Sequence, residues 1–400
     1  MAKSQPSNGK RALPFLRATA LVVGTAIGAG IFGLPYVFSQ SGASVGVGHL
    51  VIIFLTVLMT MLAFGEVASH TPGRHQITGY TKIYLGRAWE IIALVSLVLG
   101  VYGALIAYIL GVGTFVHALS VPYFGGIPLA YSLIFWMIVS SILFFGLRRV
   151  AKAESVLVVL LLLVVVTILL LSTPHIDIQN LLFVPEISLQ PTSWVPFILP
   201  FGVVLFAFGA STAVPETVEY LRESQELRWT RRSIILGMTV PAVVYLVFVL
   251  AMVGVTGAET SESAIVGLGQ ALGTPVLIVG SILGTLTMTT SFLALGVALL
   301  DVFRYDFKLS HLLSWTAVII PPVVIVLAQV GSFIDFIGLA GSLVGGIDGI
   351  IILLMYLKLR QKNIKKAGFL HIPPPLVALG MIVYALGILS EVYTLAFKWF

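Results

Sequence analysis

Bare backbone is the reagent this sequence offers. Residues 24–35 read Gly24-Thr25-Ala26-Ile27-Gly28-Ala29-Gly30-Ile31-Phe32-Gly33-Leu34-Pro35, inside the first long apolar segment. Four glycines and a proline interrupt a helix there, and each glycine costs about 1 kcal/mol relative to alanine in a helix interior. In hydrocarbon, released N–H and C=O groups must find partners inside protein or beside a polar cavity. A half-helix N-terminus presents N–H groups that favour an anion such as a carboxylate. Thr25, Ala26, Gly28, Ala29 and Gly30 are the candidates, since small side chains let a ligand reach the backbone. The competing reading is close helix packing through the Gly24/Gly28 pair.

A second apolar segment is broken in the same way. It runs Pro200-Phe201-Gly202, then Phe206-Ala207-Phe208-Gly209-Ala210-Ser211-Thr212, then Pro215-Glu216. Phe206, Ala207, Phe208, Gly209 and Ser211 would form the opposite wall, with freed carbonyls accepting a substrate ammonium. Two broken helices can thus satisfy a zwitterion without a buried Lys or Arg. Tyr102 and Tyr108 lie in the third apolar segment; each phenol could reach a substrate carboxylate or bond a neighbouring helix.

Other polar groups could hold a cation or a proton. Thr285, Thr287, Thr289, Thr290 and Ser291 crowd one span. The hydroxyls of Thr290 and Ser291, with carbonyls of Gly24 and Ile27, would make a hard-oxygen site for a cation. Such hydroxyls also bond back to their own helix or join helices. Glu66, Glu216, Asp301, Asp335 and Asp348 are the acidic residues near membrane depth, where ionisable groups are functional candidates. Glu66, Glu216 and Asp301 fall near Arg74, Arg222 and Arg304, which suits a gate or structural ion pairs. Asp348 is the deepest and is the preferred proton-linked carboxylate. His49 lies in the outer turn of its span.

The elements that must position these groups are membrane helices. The 400 residues are 58% hydrophobic and 10% charged, with mean hydropathy +1.08. Apolar windows of about 20 residues, each enough to cross roughly 30 Å of hydrocarbon, recur along the chain. Eleven spans are expected, near 17–38, 46–69, 88–119, 126–146, 153–173, 194–217, 232–256, 274–303, 311–330, 333–357 and 373–396. With residues 1–16 as a cytoplasmic tail, all of the 22 Lys and Arg residues except Lys398 fall on inner segments, as the positive-inside rule requires. The expected location is therefore a multi-pass plasma (inner) membrane protein, N-terminus cytoplasmic and C-terminus outside. The basic balance is a topology signal, and no nucleic-acid partner is expected.

The two broken spans are five apart, as are the two longest. That spacing predicts an inverted repeat, with helices 17–173 and 194–357 as its halves, the site between them, and 373–396 outside the repeat. Residues 259–273 are expected to form an outer amphipathic lid. There are no cysteines, no His-Glu-x-x-His zinc pattern, no Gly-x-Ser-x-Gly elbow and no P-loop, so an enzyme or an ATP-driven pump is not expected, nor is a cofactor beyond a coupling Na+ or H+.

These motifs are recognisable together. The chain resembles the amino acid/polyamine/organocation superfamily, with its LeuT-type fold, and within it the amino acid/auxin permeases and bacterial aromatic and hydroxy amino acid permeases. The resemblance rests on residues 24–35, on Phe206-Ala207-Phe208-Gly209 through Pro215, and on Thr290-Ser291-Phe292-Leu293-Ala294-Leu295-Gly296 running to Asp301. It implies an all-α polytopic protein of eleven helices, a 5+5 inverted repeat plus one, with helices one and six broken. It implies cation-coupled amino acid symport by alternating access, with Thr290 and Ser291 at the superfamily's sodium position. Gly209-Ala210-Ser211 stands where the aromatic permeases usually carry Phe-His. An exchanger on the same scaffold, a passive channel and a nutrient receptor are the alternatives. A channel would need a continuous polar pore, whereas this sequence has isolated polar interruptions in apolar helices.

Overall fold

The computed structural model describes residues 8–145, 150–186, 191–361 and 370–399. Lys3, Arg148, Arg149, Lys362, Lys365 and Lys366 of the charge pattern lie outside the described residues. All regular structure within them is helical. In order, the helices are α1 (Asn8–Ala26), α2 (Leu34–Ser41), α3 (Ala43–His70), α4 (Ile77–Leu85), α5 (Arg87–Phe124), α6 (Pro128–Phe145), α7 (Val150–Ser172), α8 (Ile178–Leu182), α9 (Val195–Ile198), α10 (Pro200–Ala207), α11 (Ala213–Glu223), α12 (Thr230–Thr256), α13 (Ile265–Leu272), α14 (Thr274–Asp301), α15 (His311–Leu327), α16 (Phe333–Leu339), α17 (Gly346–Gln361) and α18 (Pro374–Trp399). Among the described residues, seven helical segments are long and apolar enough to cross a membrane, and the bent pair formed by α1 with the turn and helix after it makes an eighth, angled by 47°. Val159–His175, Thr192–Ala207 and His311–Leu327 are shorter apolar helices.

Helix starts differ from the hydropathy reading where polar residues continue a helix. α1 begins at Asn8, inside the segment expected to be a tail. The expected lid at 259–273 contains α13, which packs on α14 through Gly269 and Gly280.

Small residues let the long helices approach. A Cβ on Gly284 of α14 would lie 2.5 Å from the Phe115 ring of α5, and one on Gly111 of α5 would lie 2.8 Å from Met288 Sδ of α14. Lipid tails are as apolar as leucine, so close van der Waals contact rather than water exclusion holds such helices together. Gly42, between α2 and α3, has φ +83° and lies so near the Phe183 carbonyl that an added Cβ would come within 2.5 Å of its oxygen. Only glycine meets both demands easily.

The acidic residues do not pair as expected. Arg74 engages Glu219 at 3.4 Å and also Glu223. Arg222 pairs with Glu219 at 2.7 Å and donates to the Ala68 and Thr71 carbonyls at 2.9 and 3.2 Å. The last carbonyls of a helix lack partners, so this guanidinium on α11 caps the end of α3. Glu66 instead faces His70 one turn along its own helix, at 3.6 Å. Arg304 lies over the Tyr305 ring. Neither Glu216 nor Asp301 joins an ion pair among the described residues. The ion pairs therefore use Glu219 and Glu223, one and two turns beyond Glu216, because Arg222 reaches across to α3. Asp335 accepts from the Ser332 amide at 2.7 Å and caps α16. His49 Nδ1 lies 3.0 Å from the Val45 carbonyl of its own helix.

Candidate functional site

The first break opens just after Ala26. The Ile27 amide still bonds the Val23 carbonyl at 2.9 Å. Gly28 then turns to an extended conformation, φ −134° and ψ −152°. A 3-10 turn over Ala29–Phe32 follows, closed by Ile31 N–H to Gly28 O and Gly33 N–H to Gly30 O. The amides of Gly28, Ala29 and Gly30 donate to no described acceptor, and the Gly24 and Thr25 carbonyls lose the donors a continuous helix would supply.

Two glycines in this break do opposite jobs. A Cβ built on Gly30 would sit 2.7 Å from Ala207 Cα, so Gly30 is where the two broken helices touch. A Cβ built on Gly28 meets nothing within 4 Å. Close packing explains Gly30 and leaves Gly28 beside open space.

The second break lies between α10 and α11. Phe208 N–H bonds Val204 O at 3.1 Å and Gly209 N–H bonds Phe206 O at 3.0 Å. The helix then stops, and the amides of Ala210, Ser211 and Thr212 make no backbone bond before α11 begins. Gly209 is exposed between buried Phe208 and Ala210. The Phe208 ring packs against Tyr245, at 5.4 Å between centroids, and against Phe54 at 5.9 Å. Its side chain belongs to the core, and the accessible surface of this break lies on exposed Gly209 and Thr212 with half-buried Phe206 and Ser211.

Tyr245 on α12 joins the two breaks. Its hydroxyl lies 2.5 Å from the Ala26 carbonyl and 2.9 Å from the Ala207 carbonyl, and the side chain is fully buried. These are the terminal residues of α1 and α10, whose carbonyls lose their helical donors. One phenolic proton, shared between them, holds both broken ends in register. Sequence reasoning missed Tyr245, because nothing local marks a tyrosine 219 positions from the carbonyl it serves.

Other expected residues are placed differently. The Tyr102 hydroxyl donates to the Ala317 carbonyl at 2.6 Å. Pro321 in α15 has no N–H to give that carbonyl, four residues earlier. The Tyr102 proton is therefore committed to α15, and the structure does not bring it to the breaks. Tyr108 is buried in α5. Thr25 is exposed and its hydroxyl donates to Leu21 O at 3.0 Å. Ala26, Ile27 and Ala29 are buried, with their backbones at the break. In α14, the Thr290 hydroxyl donates back to Thr287 O at 3.0 Å, while Ser291 is half-buried. The buried hydroxyls of Thr285 and Thr287 on the same helix have no hydrogen-bond partner.

The sequence model of the tryptophan/tyrosine permease family matches residues 12–393. The chain belongs to that family. Tyrosine-specific transport system 1 of Haemophilus influenzae is 27% identical over 345 residues, covering 82% of this permease and 83% of that protein. Glutamine transporter 2 of Aliivibrio fischeri is 24% identical over 358 residues, covering 87% and 90% of the two chains. The crystal structure of MhsT in complex with L-phenylalanine matches over 99% of each chain with a TM-score of 0.62 at 16% identity. That likeness establishes the LeuT-type fold. The permease is thus a multi-pass membrane amino acid transporter and not an enzyme.

Proposed function

We propose that this permease carries its amino acid by cation-coupled symport through alternating access, with the substrate bound between the two breaks. The substrate carboxylate takes the amides of Gly28, Ala29 and Gly30. Its ammonium takes carbonyls released at the ends of α1 and α10. The observation that carries this reading is the open space at Gly28 beside three undonated amides. Phe206, Gly209, Ser211 and Thr212 supply the accessible part of the opposite wall. Eleven spans, of which 17–173 and 194–357 form an inverted repeat, would place both breaks at the repeat interface. The charge pattern supports a cytoplasmic N-terminus. For the ion, two arrangements stand: Na+ among the Gly24 and Ile27 carbonyls and the Thr290 and Ser291 hydroxyls, or a proton on a carboxylate.

The relatives named above transport tyrosine and glutamine by their names, and the MhsT structure holds phenylalanine. Tyrosine, tryptophan, phenylalanine and glutamine are the amino acids to test first. Purified permease in proteoliposomes is expected to exchange at least one of them in counterflow, and to accumulate it under an imposed proton or sodium gradient. If none is bound or exchanged under any gradient, the reading fails. Exchange without gradient-driven accumulation would replace symport with obligatory exchange.

A further inference from the structure

Asp348 stands apart from every ion pair described above. It lies in the first turn of α17, directly after a π-helical segment over Ala340–Gly345. Ser96 of α5 donates its hydroxyl to Asp348 Oδ1 at 3.1 Å. The next residue, Gly349, packs against the ring of Tyr384 on α18, which an added Cβ would approach to 2.4 Å. The Tyr384 hydroxyl in turn donates to Thr60 Oγ1 of α3 at 3.0 Å. Four helices, α3, α5, α17 and α18, therefore meet around one carboxylate. Tyr384 is the titratable group beside it on α18, Ser96 is the hydroxyl that reaches it from α5, and Thr60 ties Tyr384 to α3. The charged groups nearest in sequence on α3, α4 and α5 engage one another as Glu66–His70 and Lys82–Glu90. Among the described residues no Lys, Arg or His forms an ion pair with Asp348.

An aspartate anion at membrane depth is costly unless a cation or water compensates. One neutral hydroxyl does not replace a cation. The neutral acid is the cheaper form while α17 stays against α5, and the anion becomes cheaper when water reaches the group.

The same stretch is locked to the substrate site. A Cβ on Gly341 would lie 1.9 Å from the Gly202 carbonyl oxygen and 2.7 Å from the Phe206 nitrogen. A Cβ on Gly345 would lie 3.2 Å from Leu205 Cγ. At Gly341 and Gly202 backbone rests on backbone, so the π segment and α10 have no side-chain cushion at that point. A shift of α17 moves α10, whose end is the second break. π-helical turns within α-helices occur frequently at functional sites.

We infer that Asp348 is the proton-binding group that couples the proton gradient to movement of the amino acid. The carboxylate takes a proton from the side where the proton concentration is higher and releases it to water on the other side in the same cycle. This rests on the transport reading above.

The test uses the full-length permease and the Asp348→Asn and Asp348→Glu variants in proteoliposomes with pyranine inside. Asp348→Asn is expected to keep amino acid counterflow, while substrate-dependent internal acidification and proton-driven accumulation fall to the level of empty liposomes. Asp348→Glu is expected to keep all three. Wild-type proton-driven accumulation in Asp348→Asn overturns the assignment. So does loss of counterflow in Asp348→Asn when substrate binding by that variant retains the wild-type pH dependence. If the wild-type protein exchanges no amino acid at all, the transport reading fails rather than the choice of Asp348.

Discussion

Gly28→Leu is expected to abolish amino acid binding and to leave the permease folded. Gly28 has an extended backbone that any residue can adopt, and an added Cβ meets nothing within 4 Å. A leucine there costs little in the empty protein and fills the space proposed for the substrate backbone. The expected loss is about a hundredfold or more in affinity, roughly 2.8 kcal/mol. Thermal melting of the purified variant should match wild type in the absence of substrate, and the substrate-induced rise in melting temperature should vanish. Gly30→Ala is the contrasting control. Its Cβ would come within 2.7 Å of Ala207 Cα, so the two broken helices must part and the empty protein itself should melt earlier. Undiminished binding by Gly28→Leu would return the whole motif to a packing role.

Tyr245→Phe loosens both breaks at once. The ring stays, with its packing against Phe208, but the hydroxyl that reaches Ala26 O and Ala207 O is gone. Two buried carbonyls then lack their donor, and a buried unsatisfied polar group costs about 1–3 kcal/mol. Part of that is expected as stability and part as affinity, because a substrate bound between the breaks would need both broken ends held in one geometry. An affinity loss of around tenfold, about 1.4 kcal/mol, is the expected share. Paired melting and binding curves on the variant separate the two. If the variant melts earlier while its affinity is unchanged, Tyr245 is a fold strut and not a positioning residue for substrate.

The breaks were legible in the sequence because glycine and proline are expensive in a helix and lipid offers no partner for released backbone. Residues 24–35 and 206–212 announced themselves on those grounds alone. The pattern was blind to which glycine packs and which opens. Gly28 and Gly30 are two positions apart and look alike, and only the position of Ala207 distinguishes them. Tyr102 shows the same limit. Its partner carbonyl is 215 residues away and is vacant because of Pro321, a link that requires α5 and α15 to be adjacent. In the sequence Arg222 stands near Glu216, whereas in the fold it reaches the end of α3, about 150 residues earlier in the chain. Asp348 was visible as a deep carboxylate, but Ser96 and Tyr384 became its surroundings only in three dimensions.

Transport as proposed requires the amino acid backbone to bind between the two breaks. A structure of the permease in lipid nanodiscs with its transported amino acid bound tests it most directly. Substrate density is expected beside Gly28, with the carboxylate within hydrogen-bond distance of the Gly28–Gly30 amides and the ammonium against the carbonyls ending α1 and α10. Substrate density away from both breaks, with the space at Gly28 unfilled, would contradict it.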